Sequence, residues 1–322
     1  MAVALSNSSR GGRAHPQART PSELLDITVL AGGPGAEREV SLNSGRAVSD
    51  ALRGLGHRVE LCDIGPADLS ALNRPADFVF IALHGEFGED GDLQSELDAR
   101  GLRYSGSGAA ASRLAMNKAE SKRCFEQAGV PTPAYELVTY PRLAGLASRM
   151  KPPVVVKPIS SGSSVDTSIA RTPQALVEAA THVVERYDQA LVEQYIAGPE
   201  LTVGILGDEA LPVCEIRTGR EFYDYQAKYI DDDTQYLFDL ELPVDLLERV
   251  RRLGLSAHRA LGCSVFSRVD CMIDAASMKP YFLEVNTIPG FTSHSLLPKA
   301  AARIGLTFEH LCQRIVELSL RQ

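Results

Sequence analysis

The sequence predicts a mixed fold: an α/β unit with a parallel sheet at the N-terminal end, followed by two α+β units. Short β-branched runs alternate with helix-patterned stretches in the first part of the chain, as consecutive strand-helix units require. A helix stop at Gly129, with Pro131 and Pro133 just beyond it, ends that part and opens a linker. The chain has 322 residues, which suits two or three domains at about 100 to 200 residues each.

Taken in order, the first element is a strand from Asp26 to Ala31 that ends in Gly32-Gly33-Pro34-Gly35 and enters a helix from about Val40 to Gly54. Strands near Val59 to Cys62 and at Phe78 to Leu83 follow, so a Rossmann-like sheet is the economical reading for residues 22–108. In such sheets, ligand crevices form at the carboxyl ends of the strands, which sets the Gly32 to Glu39 and His84 to Asp92 loops side by side. A helix from about Asn117 to Ala128 runs up to the stop at Gly129, and the second unit begins there. It continues with a strand at Pro153 to Pro158, a small-residue turn at Ser160 to Ser164, a helix at Pro173 to Tyr187 and a strand at Ala190 to Tyr195. The third unit, residues 194–322, carries strands at Leu201 to Leu206, Val265 to Ile273 and Pro280 to Val285, and closes with an amphipathic helix near Phe308 to Leu320. Residues 1–21 are rich in Ser, Gly and Arg, lack an acidic residue and have no long apolar core, so they read as a disordered tail and not as a secretory signal.

Composition narrows the function classes. Hydrophobic residues make up 44% and charged residues 23%, close to folded soluble proteins, and no apolar run approaches the roughly 18 residues that span a bilayer. A net charge of -8 without Lys/Arg runs argues against nucleic acid or an anionic membrane as the partner. Small molecules and a cytoplasmic setting remain. The six cysteines show no metal-ligand spacing and read as reduced, mostly buried thiols.

The chemistry concentrates near the C-terminus. In Ser267-Arg268-Val269-Asp270 and Phe282-Leu283-Glu284-Val285-Asn286, side chains alternate faces, so Arg268 shares one with Asp270 and Glu284 shares one with Asn286. If the two strands are neighbours, three oxygen donors and one guanidinium converge. Such hard ligands suit Mg²⁺ held together with nucleotide phosphates; an Arg-carboxylate network at a sheet edge is the plainer alternative. Ser160-Ser161-Gly162-Ser163-Ser164 follows Lys157 at a strand end, where small residues let backbone N-H groups approach an anion. Lys157 and Lys118 could each hold a phosphate. Glu37, beside a Gly-rich turn, could hold an ammonium group or merely cap the helix that follows. His84 and the acids after it form a second loop at the same mouth, or simply a tight acidic turn.

Taken jointly, these stretches are more specific than any one of them. Gly32 to Leu42, His84 to Gly91 with Gln94, Tyr104 to Gly108, Phe222 to Tyr229 and Glu284 to Leu296 resemble, in order, the signatures of D-alanine:D-alanine ligases. The similarity runs from about Asp26 to the C-terminus. The resemblance implies an ATP-grasp fold, with residues 22–108 as substrate-binding domain, 109–193 as central ATP-grasp domain and 194–322 as the domain with the catalytic and metal residues. It also implies roles by position: Lys118 and Lys157 on phosphates with Ser163, Ser164 and Lys228 nearby; Glu193 and Ile196 near the adenine; Glu200 near the ribose. Asp270, Glu284 and Asn286 would bind two Mg²⁺ ions, or Mn²⁺. Glu37 would receive the first substrate's ammonium beside His84, and Arg268 with Gly290 would stabilise the tetrahedral intermediate. Ser295 and Leu296 would hold the second substrate's carboxylate, and Tyr229 would close over the site with Ser163 and Glu37.

By the same resemblance, ATP would phosphorylate the carboxylate of one D-alanine and a second D-alanine would attack the acyl-phosphate, in a homodimeric enzyme of peptidoglycan precursor synthesis. The chain departs from the family pattern at Ser161 and Asp166 and at Leu237-Phe238-Asp239. An acid at Asp166 is expected to oppose bound phosphates. These departures admit a relative in specialised metabolism that couples a different amino-acid pair. A catalytically degenerate ATP-binding module is a further alternative, against which the intact set Lys157, Arg268, Asp270, Glu284 and Asn286 speaks.

Overall fold

The computed structural model describes residues 24–35, 37–162, 164–219 and 234–322. The tail at 1–21, Ser163, Lys228 and Tyr229 lie outside the described residues.

The N-terminal unit is a parallel sheet ordered β2-β1-β3, made of Asp26–Gly32 (β1), Arg58–Ile64 (β2) and Phe78–Ile81 (β3). A bridge from Val79 to Tyr104 extends it in the same sense. Helix α1, Arg38–Gly54, returns the chain between β1 and β2 and turns Ser41, Ser44, Val48, Ala51 and Leu52 inward at helical spacing. Because the strands are parallel, β1 and β3 end at one mouth. The expected neighbourhood of their loops is found: the Ser41 hydroxyl accepts from the Gly32 N-H at 2.9 Å and donates to the Ala82 carbonyl at 2.7 Å. After β3 come α2, Asp92–Ala99, and α3, Ala109–Met116.

Helix α4 spans Lys118–Gln127, and its N-cap Asn117 accepts from the Glu120 N-H at 3.1 Å. The central sheet is antiparallel and ordered β4-β7-β5-β6, from Tyr135–Val138 (β4), Val154–Pro158 (β5), Ser168–Ala170 (β6) and Ala190–Gln194 (β7). A short helix, α5 at Leu146–Arg149, and α6 at Pro173–Tyr187 cover one face through Leu146, Leu176, Ala180 and Val183. The Thr172 hydroxyl caps α6 and Pro173 occupies its first turn, where a missing N-H costs nothing.

The third sheet runs β11-β10-β8-β12-β13, with β9 paired to β8: Glu200–Leu206 (β8), Glu209–Ala210 (β9), Cys214–Arg217 (β10), Gln235–Leu237 (β11), Phe266–Asp274 (β12) and Lys279–Asn286 (β13). Helix α7, Val244–Ala260, packs on it, and Ala111, Ala115 and Phe125 of α3 and α4 join the same core. The last helices, α8 at Leu296–Ala302 and α9 at Phe308–Ser319, return to the parallel sheet: Leu297, Leu311, Ile315 and Val316 pack with Ile27, Val29, Val48 and Phe80. The C-terminus thus completes the core that the N-terminus begins.

Candidate active site

Strands β12 and β13 are antiparallel neighbours in a register that sets Arg268 opposite Asn286 and Asp270 opposite Glu284. Residues directly opposite in an antiparallel pair project from the same face, so the four side chains gather on one face. The register shifts just past Asp270. Arg268 and Asp270 form a bidentate pair, Nε to Oδ1 at 3.0 Å and an Nη to Oδ2 at 2.7 Å, both largely buried. The Thr202 hydroxyl on β8 donates to Asp270 Oδ1 at 2.6 Å, which fixes the carboxylate from the other side.

Two cavities adjoin this face. The first, about 480 Å³, is lined by Glu37, His84, Glu89, Arg268, Gly290 and Ser295 among others, with Asn286 and Leu296 also at its wall. The second, about 330 Å³, is lined by Lys157, Ser164, Glu193, Ile196, Glu200 and Asp270. Lys118 and Glu284 line both, and the Lys118 ammonium lies 3.4 Å from Glu284 Oε2. Lys118 also donates to the Ser161 carbonyl at 2.8 Å, which ties the small-residue turn to the start of α4. Every described residue assigned to the site from sequence therefore lines one cavity or the other.

Glu37 sits where three loops meet. Gly85 has φ +71, and a Cβ there would collide with the Glu37 carboxylate, so the loop after β3 needs glycine at that point. A Cβ on Gly162 would lie 3.3 Å from Glu37 Oε2. The first cavity is thus walled by Glu37 and Glu39 beyond the Gly-rich turn, by His84 and Glu89 of the loop after β3, and by Gly162.

His84 is buried and bridges the two ends of the chain. Its Nδ1 lies 3.0 Å from the Ile288 carbonyl and its Nε2 lies 2.9 Å from the Ser44 hydroxyl, which accepts from the Phe291 N-H at 3.2 Å. This network assigns the neutral tautomer with the proton on Nδ1, the hydroxyl donating to Nε2. Burial depresses the imidazole's pKa, the nearby Arg268 charge adds to that, and Glu37 and the Ile288 carbonyl oppose it. A buried Glu89 accepts from the Gly85 N-H at 3.1 Å; burial and then the facing Glu37 push its pKa up to about 8. Glu89 lies in the His84 to Gly91 run but carries no sequence signal of its own; its burial marks it.

The second cavity is organised by buried charge. Glu193 lies between Lys157 at 2.5 Å and Lys122 at 2.7 Å. Burial alone would raise its pKa, but the two ammonium groups outweigh that and hold it at about 2. For Lys157, burial lowers the pKa and Glu193 and Glu284 more than restore it, so it stays charged. Lys122 was missed in the sequence, although its place four residues after Lys118 on α4 sets both on one helix face.

Asp166 is not part of the wall of either cavity. It adopts φ +51. The Tyr187 hydroxyl donates to it at 2.5 Å, and Arg186 and His182 of α6 lie at 3.5 Å and 3.6 Å. Tyr187 and then Arg186 keep the carboxylate ionised below its usual range, with burial opposing. The acid that departs from the pattern is therefore turned toward α6. In the segment Leu237-Phe238-Asp239, Phe238 lies under Arg303 and Asp239 pairs with Arg303 at 2.6 Å, outside both cavities.

Among the described residues no three His, Cys, Asp or Glu side chains come together as a metal cage. The oxygen set is two carboxylates and one amide, a partial shell of the kind that Mg²⁺ completes with phosphate oxygens and water. No described helix is long and apolar enough to cross a membrane.

Comparison with known proteins agrees with this geometry. A family model described as D-ala D-ala ligase C-terminus matches residues 124–317. The chain is 46% identical over 306 residues to a D-alanine--D-alanine ligase of Gloeobacter violaceus, covering 92% of this chain and 100% of that protein. The structure of a D-alanine--D-alanine ligase from Bacillus anthracis matches with a TM-score of 0.81 at 38% identity, over 92% of this chain and 97% of that one. A second structure of that description, complexed with ATP, matches with a TM-score of 0.78 at 34% identity, over 92% and 98%. The chain belongs to the D-alanine--D-alanine ligase family and has its ATP-grasp fold.

Proposed function

We propose that the protein joins two D-alanine molecules through an acyl-phosphate at the expense of ATP, with the amino acids in the first cavity and the nucleotide in the second. The observation that carries this reading is the shared wall: Lys118 and Glu284 face both cavities, so a γ-phosphate on one side and a substrate carboxylate on the other can meet there. Names of relatives along nearly the whole chain support the same substrates.

A carboxylate is a poor electrophile, and phosphorylation turns its oxygen into a leaving group. Lys118 and Lys157 offset charge on the phosphates while the bond from the γ-phosphorus to ADP breaks and the bond to the carboxylate oxygen forms. Asp270, Glu284 and Asn286 would hold two Mg²⁺ ions, for which Mn²⁺ could substitute; these would supply further charge neutralisation at the phosphates. Glu37 receives the ammonium of the first D-alanine by a charge-assisted contact. The second D-alanine, held through its carboxylate at Ser295 and Leu296, attacks as the free amine; phosphate leaves and the peptide bond is formed. Arg268 and the Gly290 N-H face the carbonyl oxygen as it gains charge, a kind of contact worth about 3 to 4 kcal/mol when removed. Asp270 anchors that guanidinium before substrate arrives, so little reorganisation is needed. Tyr229 with Ser163 and Glu37 would close over the site and keep water from the acyl-phosphate.

In the cell the product would feed peptidoglycan synthesis in the cytoplasm, and the enzyme would act as a homodimer through its N-terminal unit. The boundaries at 108 and 193 are proposed as those of three domains. The test is to incubate purified protein with ATP, Mg²⁺ and single D-amino acids while following phosphate release and dipeptide by mass spectrometry. D-alanyl-D-alanine with D-alanine alone is expected. Silence with D-alanine and turnover with another amino acid would overturn the substrate assignment.

A further inference from the structure

Lys122 has no exposed side-chain surface, yet it is an ammonium-bearing residue in the wall behind the second cavity. Desolvating an ammonium is costly unless it is paired and hydrogen-bonded. Its ammonium is 2.7 Å from Glu193 Oε2, donates to the Thr132 hydroxyl at 2.7 Å and lies 5.6 Å from the centre of the Tyr135 ring. Thr132 passes the contact on, donating to the Phe282 carbonyl of β13 at 2.8 Å. The other oxygen of Glu193 takes Lys157 at 2.5 Å, and only Lys157 and Glu193 of the three line the cavity.

The charges decide what this arrangement does. A buried Lys157-Glu193 pair by itself is neutral and holds its ammonium against its own carboxylate, so it has little attraction left for an incoming phosphate. A second ammonium on the far oxygen makes the trio net positive and divides the carboxylate's attraction between two partners. We propose that Lys122 is a positioning residue for the nucleotide: it occupies Glu193 from behind so that Lys157 keeps its positive charge available to the polyphosphate. Lys122 itself does not touch the ligand. Thr132 and Tyr135 fix it to β13 and β4, so the compensation is built into the junction of the central and C-terminal sheets. This inference rests on the reading that the second cavity takes ATP.

The test is calorimetric titration of the full-length protein with Mg-ATP and, separately, with adenosine. Wild-type protein binds Mg-ATP if the nucleotide reading holds; no binding there would defeat that reading itself. Lys122→Met keeps length and removes the charge, and is expected to weaken Mg-ATP about tenfold while leaving adenosine, which carries no phosphate, within about twofold. Lys122→Arg keeps the charge and is expected to hold Mg-ATP affinity within about threefold of wild type. Thermal melting of each variant registers folding separately. Unchanged Mg-ATP affinity in Lys122→Met, equal losses for Mg-ATP and adenosine, or a folded Lys122→Arg as weak as Lys122→Met would each overturn the proposal.

Discussion

Glu284 faces both cavities at once, and nothing else in its strand does so. Glu284→Gln keeps its shape and removes the charge that would hold a metal ion. Activity is expected to fall by at least about 100-fold, with an unchanged melting temperature, because the residue is half-buried at a cavity wall and outside the apolar core. Full activity in this variant would contradict the metal assignment. Glu89 allows a second measurement. Its pKa of about 8 is set by burial and by Glu37, so at pH 7 it is mostly protonated. An ammonium group arriving in the same cavity favours the carboxylate form, and D-alanine binding is therefore expected to release protons near neutrality. Titrations in buffers of different ionisation enthalpy measure that release, and Glu89→Gln should abolish it.

At the level of elements, the structure is held together by contacts between segments far apart in the chain. Helix α9 covers the parallel sheet, and His84 after β3 accepts from Ser44 on α1 while donating to the Ile288 carbonyl after β13. Ile315 of α9 is fully buried against this core. Ile315→Ala is expected to destabilise the protein by about 2 to 5 kcal/mol, the range for deleting a large aliphatic side chain in a packed interior. Chemical denaturation measures it, and a loss below about 1 kcal/mol would mean that α9 is not part of the N-terminal core. Helix α4 shows the same principle at the site: its N-cap Asn117 fixes where Lys118 begins, and the helical period then buries Lys122 behind it.

Across the whole molecule, buried charge makes stability depend on pH in two opposed ways. Glu193 has its pKa depressed to about 2, so the unfolded chain binds more protons than the folded one between 2 and the ordinary value of 4.5. Its contribution is complete above 4.5 and is lost as pH falls through 2. Glu89 has its pKa raised to about 8, so the folded chain holds the extra proton and stability declines as pH rises from 4.5 to 8. Denaturant titrations at a series of pH values are expected to show Glu193→Gln flattening the acid limb and Glu89→Gln flattening the decline toward pH 8. A wild-type curve without either limb would refute the assigned environments.

Sequence alone determined the elements whose signals are local. The strand at Asp26, the helix at Pro173–Tyr187 and the stop at Gly129 were all legible, because periodicity and helix-stop signals act over a few residues. So were the Arg268, Asp270, Glu284 and Asn286 faces, since strand alternation is a property of each strand by itself. What only the tertiary structure decided was register and burial. The β12-β13 register brought the four together, packing buried Lys122 beside Glu193, and the left-handed turn at Asp166 pointed an acid toward α6 and outside both cavities. Helix α7 went unrecognised beforehand although its apolar positions recur at helical spacing. The physical reason is that a charge acquires its role from its partners and its access to water, and both are set by segments distant in the chain.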